Sequence, residues 1–128
     1  MAKSLIDTSV VVDMLRGQPV AAQFISGAIT AQEAFIHPLV AAEILAGSRN
    51  RRELAQFNRA LSVMQSVSCE ASDWDACLQL YRNLFLAHGI GWEDCLVAAT
   101  ALRLDLVVVT LNVRHFQAVP HLKFLRPY

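Results

Sequence analysis

Short apolar segments, each too brief to be a helix, alternate along this chain with longer stretches of helical pattern. This alternation constrains the fold more than any other feature of the sequence. Lys3 to Ile6 reads as a first strand, and Asp7-Thr8-Ser9 supplies cap-type residues for a helix that runs through Arg16 and ends at Gly17. Pro19 opens a second helix to about Ile29, with Gly27 as its weak spot. Phe35 to His37 is a second strand, and Pro38 starts a helix through Ala46 that Gly47 terminates. Asn50 and Glu53 have capping-box spacing before a stripe of Leu54, Phe57, Leu61 and Met64. A third strand is expected around Val67. Ser72 and Asp75 then begin a long helix, with Trp74, Cys77, Leu78, Tyr81 and Phe85 toward the core and its end near Gly89. A helix from about Trp92 to Leu104, a β-branched strand from Leu106 to Thr110, and a last strand from Leu122 to Leu125 complete the pattern. Strands alternating with helices predict an α/β fold, a parallel sheet covered on both faces. Sheets of this kind bind ligands at the carboxyl ends of their strands.

The 128 residues suit one domain, 1–128, with no repeat or linker to divide it. At 55% hydrophobic and 17% charged, the chain can bury a substantial core. Asp7, Thr8, Ser9 and Asp13 interrupt the early apolar stretch, so no signal peptide is expected. No apolar run approaches the ~20 residues of a membrane span. A soluble, cytoplasmic protein without membrane association is therefore expected. Cys69, Cys77 and Cys95 are an odd number without zinc-site spacing and read as reduced core residues. His37, His88, His115 and His121 share no metal-ligand spacing. The formal net charge is zero, which removes the simplest signature of nucleic-acid binding. Nine of the eleven cations are nevertheless arginine, with Arg49, Arg51, Arg52 and Arg59 close together. Arginine suits bidentate phosphate contact, although such a cluster is more often a solvated helix face.

Three acids are expected to converge. Asp7 closes the first strand and stands at its carboxyl rim. Asp94 begins a helix that descends ~16 Å over about eleven residues, and the strand Leu106 to Thr110 climbs back ~16 Å. Asp94 and Asn112 thus end at the same rim. Glu43 lies ~7 Å down its helix, but helical side chains lean toward the amino terminus and glutamate is long enough to reach up. Taken singly, Asp7 and Asp94 could be helix caps and Glu43 a solvated side chain. Their shared rim is what separates a site from three unrelated structural roles. Clustered carboxylates repel and raise one another's pKa unless a cation neutralises them. An all-oxygen set suits Mg²⁺ or Mn²⁺ better than zinc, and such ions assist phosphodiester displacement.

Leu-Ile-Asp7-Thr8-Ser9, Ala-Ala-Glu43-Ile-Leu-Ala-Gly47, Asp94-Cys-Leu-Val-Ala-Ala-Thr-Ala-Leu and Val-Val-Thr110-Leu-Asn112-Val-Arg-His115-Phe116 resemble, in order and spacing, the motifs of PIN domains. The likeness is nearest to the VapC-type toxins of prokaryotic toxin–antitoxin pairs and covers essentially the whole chain. It implies a three-layer αβα sandwich around a mainly parallel five-stranded sheet. It also implies Mg²⁺- or Mn²⁺-dependent endoribonuclease activity, with Asp7, Glu43 and Asp94 as the catalytic, metal-binding acids. Thr8, Ser9 and Thr110 would be supporting hydroxyls. A homodimer and a cognate VapB-type antitoxin, its tail covering the active-site groove, are further implications. The fourth metal-site position, often aspartate in the family, is Asn112 here, which can offer a carbonyl oxygen but no charge. Glu93 is expected to face away from the site. Arg114, two residues after Asn112, is the expected RNA-phosphate contact, ahead of the Arg49 to Arg52 cluster.

Other readings fit less well. A haloacid-dehalogenase-like phosphatase would carry a second aspartate where Ser9 stands. A receiver-type phosphoacceptor would want a lysine at the end of a late strand, whereas Lys123 lies inside one. The alternative from another class is a non-catalytic PIN-like module that docks RNA or protein, which the intact set of three acids disfavours.

Overall fold

In the computed structural model, which describes residues 3–128, five strands form one wholly parallel sheet. They are β1 (Ser4–Ile6), β2 (Ala34–Ile36), β3 (Gln65–Ser66), β4 (Val107–Val109) and β5 (Phe124–Leu125), in the order β3-β2-β1-β4-β5. Seven helices occur among the described residues: α1 (Thr8–Leu15), α2 (Pro19–Thr30), α3 (Pro38–Ala46), α4 (Arg51–Ser62), α5 (Ala71–His88), α6 (Trp92–Leu104) and α7 (Val113–Phe116). The chain first builds outward from β1 to β3, then returns to β4 and β5 on the other side. Because crossovers between parallel strands are right-handed, α1–α4 cover one face and α5–α7 the other. The strand order therefore reverses between β1 and β4, which opens a crevice at their carboxyl ends.

Burial on both faces explains the unbroken apolar strands. Leu5, Ile6, Val108 and Val109 are fully buried, as are Val10, Val11 and Ile25 on the helices of one face and Ala98 and Ala101 on α6. Each large aliphatic side chain removed from water contributes about 1.5–3 kcal/mol. Cys77 and Cys95 belong to this core, and burial pushes the Cys95 thiol up to about 12, so it stays protonated.

The strands are shorter than their apolar runs, because side-chain periodicity marks burial whereas a strand needs a ladder partner. His37, expected in the second strand, instead caps α3, its Nδ1 accepting from Leu39 N–H at 3.0 Å. Val67 lies just beyond β3 but still donates to the Ile36 carbonyl. The stripe on α5 also needs correction. Trp74, Leu78 and Phe85 are exposed, and the buried line runs through Asp73 and Cys77, with Leu80, Tyr81 and Leu84 packed beside it. The helix starts at Ala71 rather than at Ser72, with Glu70 as its N-cap, whose N–H donates to Asp73 Oδ2 at 3.0 Å. Leu54, expected on the buried stripe of α4, is exposed as well. Asn50 does cap α4, but Glu53 takes the Arg49 N–H at 2.9 Å instead of that of Asn50.

A buried polar chain, not anticipated from sequence, ties α3, α5 and α6 together. His37 Nε2 lies 3.0 Å from Thr100 Oγ1, which donates to Asp73 Oδ2 at 3.0 Å, and Arg103 Nε donates to Asp73 Oδ1 at 2.7 Å. His37, Thr100 and Asp73 are all buried. Burial pushes the Asp73 carboxyl up, but Arg103, the Glu70 N–H and the Thr100 hydroxyl more than reverse this and hold it below the usual range. Burial also depresses His37, against the pull of Asp73 and with that of Arg103.

Two outcomes follow from this chain. Thr100→Val keeps the shape but leaves His37 Nε2 without its partner and takes one of several donors from Asp73, and should cost about 1–3 kcal/mol in urea unfolding. His37 takes up a proton less readily when folded than when unfolded. Its contribution is therefore complete above ~6.5 and declines as the pH drops below that value. Between about pH 7 and pH 5 the wild-type protein should lose stability relative to His37→Gln, which lacks this titration.

Candidate active site at the β1–β4 rim

Asp7 follows β1 directly and occupies the N-cap position of α1, yet its carboxylate makes no capping hydrogen bond. It turns across the crevice instead. Thr110, at the end of β4, donates to Asp7 Oδ2 at 2.8 Å, and Ser9 donates to the same oxygen at 3.2 Å. Both hydroxyls are themselves fixed from the backbone, Thr110 by Asn112 N–H at 2.8 Å and Ser9 by Leu111 N–H at 3.1 Å. One oxygen of Asp7 is thus immobilised, which aims the other. Of the two readings open for this residue, the side chain does not serve as the cap of α1.

Asp94 lies in the first turn of α6, after the N-cap Gly91. Its Oδ2 is 3.0 Å from His115 Nδ1. The side-chain nitrogen of Asn112 lies 2.9 Å from the same ring nitrogen. A ring nitrogen cannot donate to a carboxylate and accept from an amide at once, so the two contacts are alternatives. His115 stands in the last of the sequence motifs but was given no role there. Its signal was available: three residues past Asn112 on a short helix returns a side chain to the same rim. That helix, α7, was itself unanticipated, and the fully buried Phe116 anchors it.

A pocket of about 410 Å³ is lined by Asp7, Thr8, Ser9, Glu43, Asp94, Leu111 and Asn112. The three expected acids, the expected fourth position and two of the three hydroxyls therefore share one concavity. The third hydroxyl, Thr110, stands behind Asp7. Glu43 reaches the pocket from the middle of α3. Desolvation pushes its carboxyl up, Asp7, Asp94 and Glu93 push it further, and the Thr8 hydroxyl opposes them. Burial likewise raises Asp94, with His115 opposing and Asp7 adding to the rise. Mutual repulsion, expected from the sequence, is present but ranks below loss of hydration in both groups. Glu93 does not line the pocket. It folds back over Gly91, where an added Cβ would sit 2.7 Å from its Oε2.

As positioned, no three His, Cys, Asp or Glu side chains among the described residues form a ready cage for a metal ion. The donors nevertheless fit a hard divalent cation. They are all oxygen, they repel without a counter-charge, and Thr8 Oγ1 is buried at the pocket wall with no partner in full hydrogen-bond geometry.

Arg114 is exposed on α7 and lines a neighbouring depression with Ala87, His88, Gln117 and Ala118, not the acidic pocket itself. Of the arginine cluster, Arg49 is paired with Glu53 at 2.6 Å. Together with Arg16, Val12, Leu15, Ile44 and Phe57 it borders a groove of about 530 Å³, which meets the acidic pocket at Glu43. Arg16 had no distinguishing signal in the sequence.

If the pocket takes a divalent cation, Mn²⁺ at a hundredfold excess over Kd should stabilise the protein by about 2.7 kcal/mol. Asp94→Asn should abolish most of that gain. It should also raise the metal-free melting temperature, because a carboxyl whose pKa is raised on folding opposes folding once ionised. Thermal melts of both proteins with and without Mn²⁺ check each part.

The sequence matches the PIN domain family over residues 4–122. Ribonuclease VapC19 of Mycobacterium tuberculosis (strain ATCC 25618 / H37Rv) is 37% identical over 121 residues, covering 93% of this chain and 96% of the relative. Ribonuclease VapC10 of the same organism is 31% identical over 121 residues, covering 93% and 90%. Among solved structures, DNA-bound VapBC from Salmonella typhimurium superposes with a TM-score of 0.84 at 20% identity over 100% of both chains, a likeness of fold. With its motifs gathered at one rim and the family match spanning nearly its whole length, the chain belongs to the PIN domain family.

Proposed function

We propose that this chain is a divalent-metal-dependent endoribonuclease, formed as one nuclease domain and acting as the toxin of a VapBC-type toxin–antitoxin pair. The observation that carries this reading is the convergence of Asp7, Glu43, Asp94 and Asn112 in one pocket at the strand-order reversal. Relatives named as ribonucleases, at 37% and 31% identity over almost the full chain, support the same activity. Asp7, Glu43 and Asp94 would hold Mg²⁺ or Mn²⁺, with Asn112 contributing through its amide oxygen or through water. Such an ion supplies charge neutralisation at a phosphodiester and activation of water for its displacement. Thr110 and Ser9 keep Asp7 oriented, and Thr8 bears on Glu43.

RNA must approach a cluster of negative charge, so cations at the margin matter. Arg114 makes no ion pair among the described residues, and it stands on the helix that follows Asn112. We assign it to phosphate contact. A VapB-type antitoxin is the expected partner, consistent with the VapBC complexes among similar folds. A peptide lying in the groove bordered by Val12, Leu15, Ile44 and Phe57 would cover Glu43. The exposed Trp74, Leu78, Phe85 and Leu86 of α5 support a homodimer, since a lone molecule leaves them in water. No helix among the described residues is long and apolar enough to cross a membrane, and we place the protein in the cytoplasm with its RNA substrate.

Incubation with total cellular RNA and Mn²⁺ should produce discrete cleavages ending in a 5′ phosphate, lost on chelation and in Asp7→Asn. Binding of RNA without cleavage under any divalent cation would identify a docking module instead. Arg114→Ala should weaken RNA binding and lower the slope of log K against log salt by about 0.7, with Mn²⁺ affinity unchanged. An unaltered slope there, with a reduced one in Arg51→Ala/Arg52→Ala, would move the RNA path to α4.

A further inference from the structure

We propose that His115 is a positioning residue for Asp94: its Nδ1–H holds one carboxylate oxygen so that the other is presented to the pocket, and this sets the affinity of the site for a divalent cation. The inference rests on the metal-dependent reading above. His115 Nδ1 lies 3.0 Å from Asp94 Oδ2, in a pair whose side chains are only 33% and 23% exposed, so water competes poorly for the contact. His115 does not line the acidic pocket, whereas Asp94 does. It therefore holds the carboxylate without itself lining the pocket, and is placed to orient it rather than to meet a substrate.

The arrangement repeats what Thr110 does for Asp7. Thr110 grips Asp7 Oδ2 from the end of β4, and His115, five residues later, grips Asp94 Oδ2 from α7. One short segment, 110–115, thus fixes the acids contributed by β1 and by α6. Left without a donor, Asp94 would have to give up side-chain freedom whenever it closed on a cation, and an orienting N–H removes much of that cost in advance. The same donation settles the competition at Nδ1. While the ring proton faces Asp94, the amide nitrogen of Asn112 has no acceptor there, and the Asn112 side chain stays available to the pocket it lines.

The test is isothermal titration of the full chain with Mn²⁺, alongside metal-free melting temperatures. Wild type should bind and Asp94→Asn should not. Absence of binding in wild type would defeat the metal reading itself, which keeps that failure separate from this one. His115→Leu should weaken Mn²⁺ binding about 10- to 100-fold while melting near wild type, the loss expected when the partner of a ligating carboxylate is removed. His115→Asn, whose amide nitrogen falls where Nδ1 lies, should recover most of the affinity. His115→Gln, whose amide falls where Nε2 lies, should not. Wild-type affinity in a folded His115→Leu overturns the proposal. Should that variant fail to fold, equal affinities in His115→Asn and His115→Gln overturn it instead.

Discussion

The acidic rim depends on the parallel pairing of β1 with β4. In register, Ile6 sits opposite Val109, so Asp7 and Thr110 leave the sheet side by side and a hydroxyl can cross to a carboxylate at 2.8 Å. Strand β1 lies at the centre of the sheet, with β2 and β3 beyond one edge and β4 and β5 beyond the other. Helices consequently diverge from this line to opposite faces, and no connection covers it. Each remaining acid comes from one of those faces, Glu43 from α3 and Asp94 from α6.

That geometry creates an electrostatic problem that the surrounding structure contains but does not remove. Glu43 and Asp94 are both held above their ordinary titration range, first by loss of hydration and then by neighbouring carboxylates, Asp7 and Glu93 for both and Asp94 as well for Glu43. Hydrogen-bonding partners stand against two of the acids: Thr110 and Ser9 on Asp7, His115 on Asp94. No lysine or arginine lines the pocket. The chain thus stabilises the direction in which its carboxylates point while leaving their charge for something else to balance. The contrast with Asp73 is instructive, since that buried carboxylate has Arg103 at 2.7 Å and stays well ionised.

Much of this was readable beforehand, and for definable reasons. Asp7 could be placed because a cap residue directly after a strand must stand at its carboxyl end. Matching the length of the helix after Asp94 to the strand before Asn112 placed those two at one height. The reach of a glutamate side chain placed Glu43. What stayed hidden were contacts between side chains distant in sequence. Nothing near Thr100 signals that it bridges His37 and Asp73, 63 and 27 positions away. His115 looked like one of four scattered histidines because ligand spacing was sought within a single helix, while its partner lies 21 residues back on another. On α5 the apolar residues at Trp74, Leu78 and Phe85 suggested a buried face, but that pattern measures apolar surface, not what covers it.

The placement of the aromatic residues has an optical consequence. The chain holds only two tryptophans, and Trp74 and Trp92 stack with ring centroids 6.0 Å apart. Trp92 is the first residue of α6, two positions before Asp94, and both rings are partly open to solvent. All intrinsic tryptophan emission therefore originates at one corner of the molecule, where α5 meets the start of α6. Unlabelled fluorescence is thus a local gauge of the helix end that carries Asp94, sensitive to a cation, a nucleic acid or another protein arriving there.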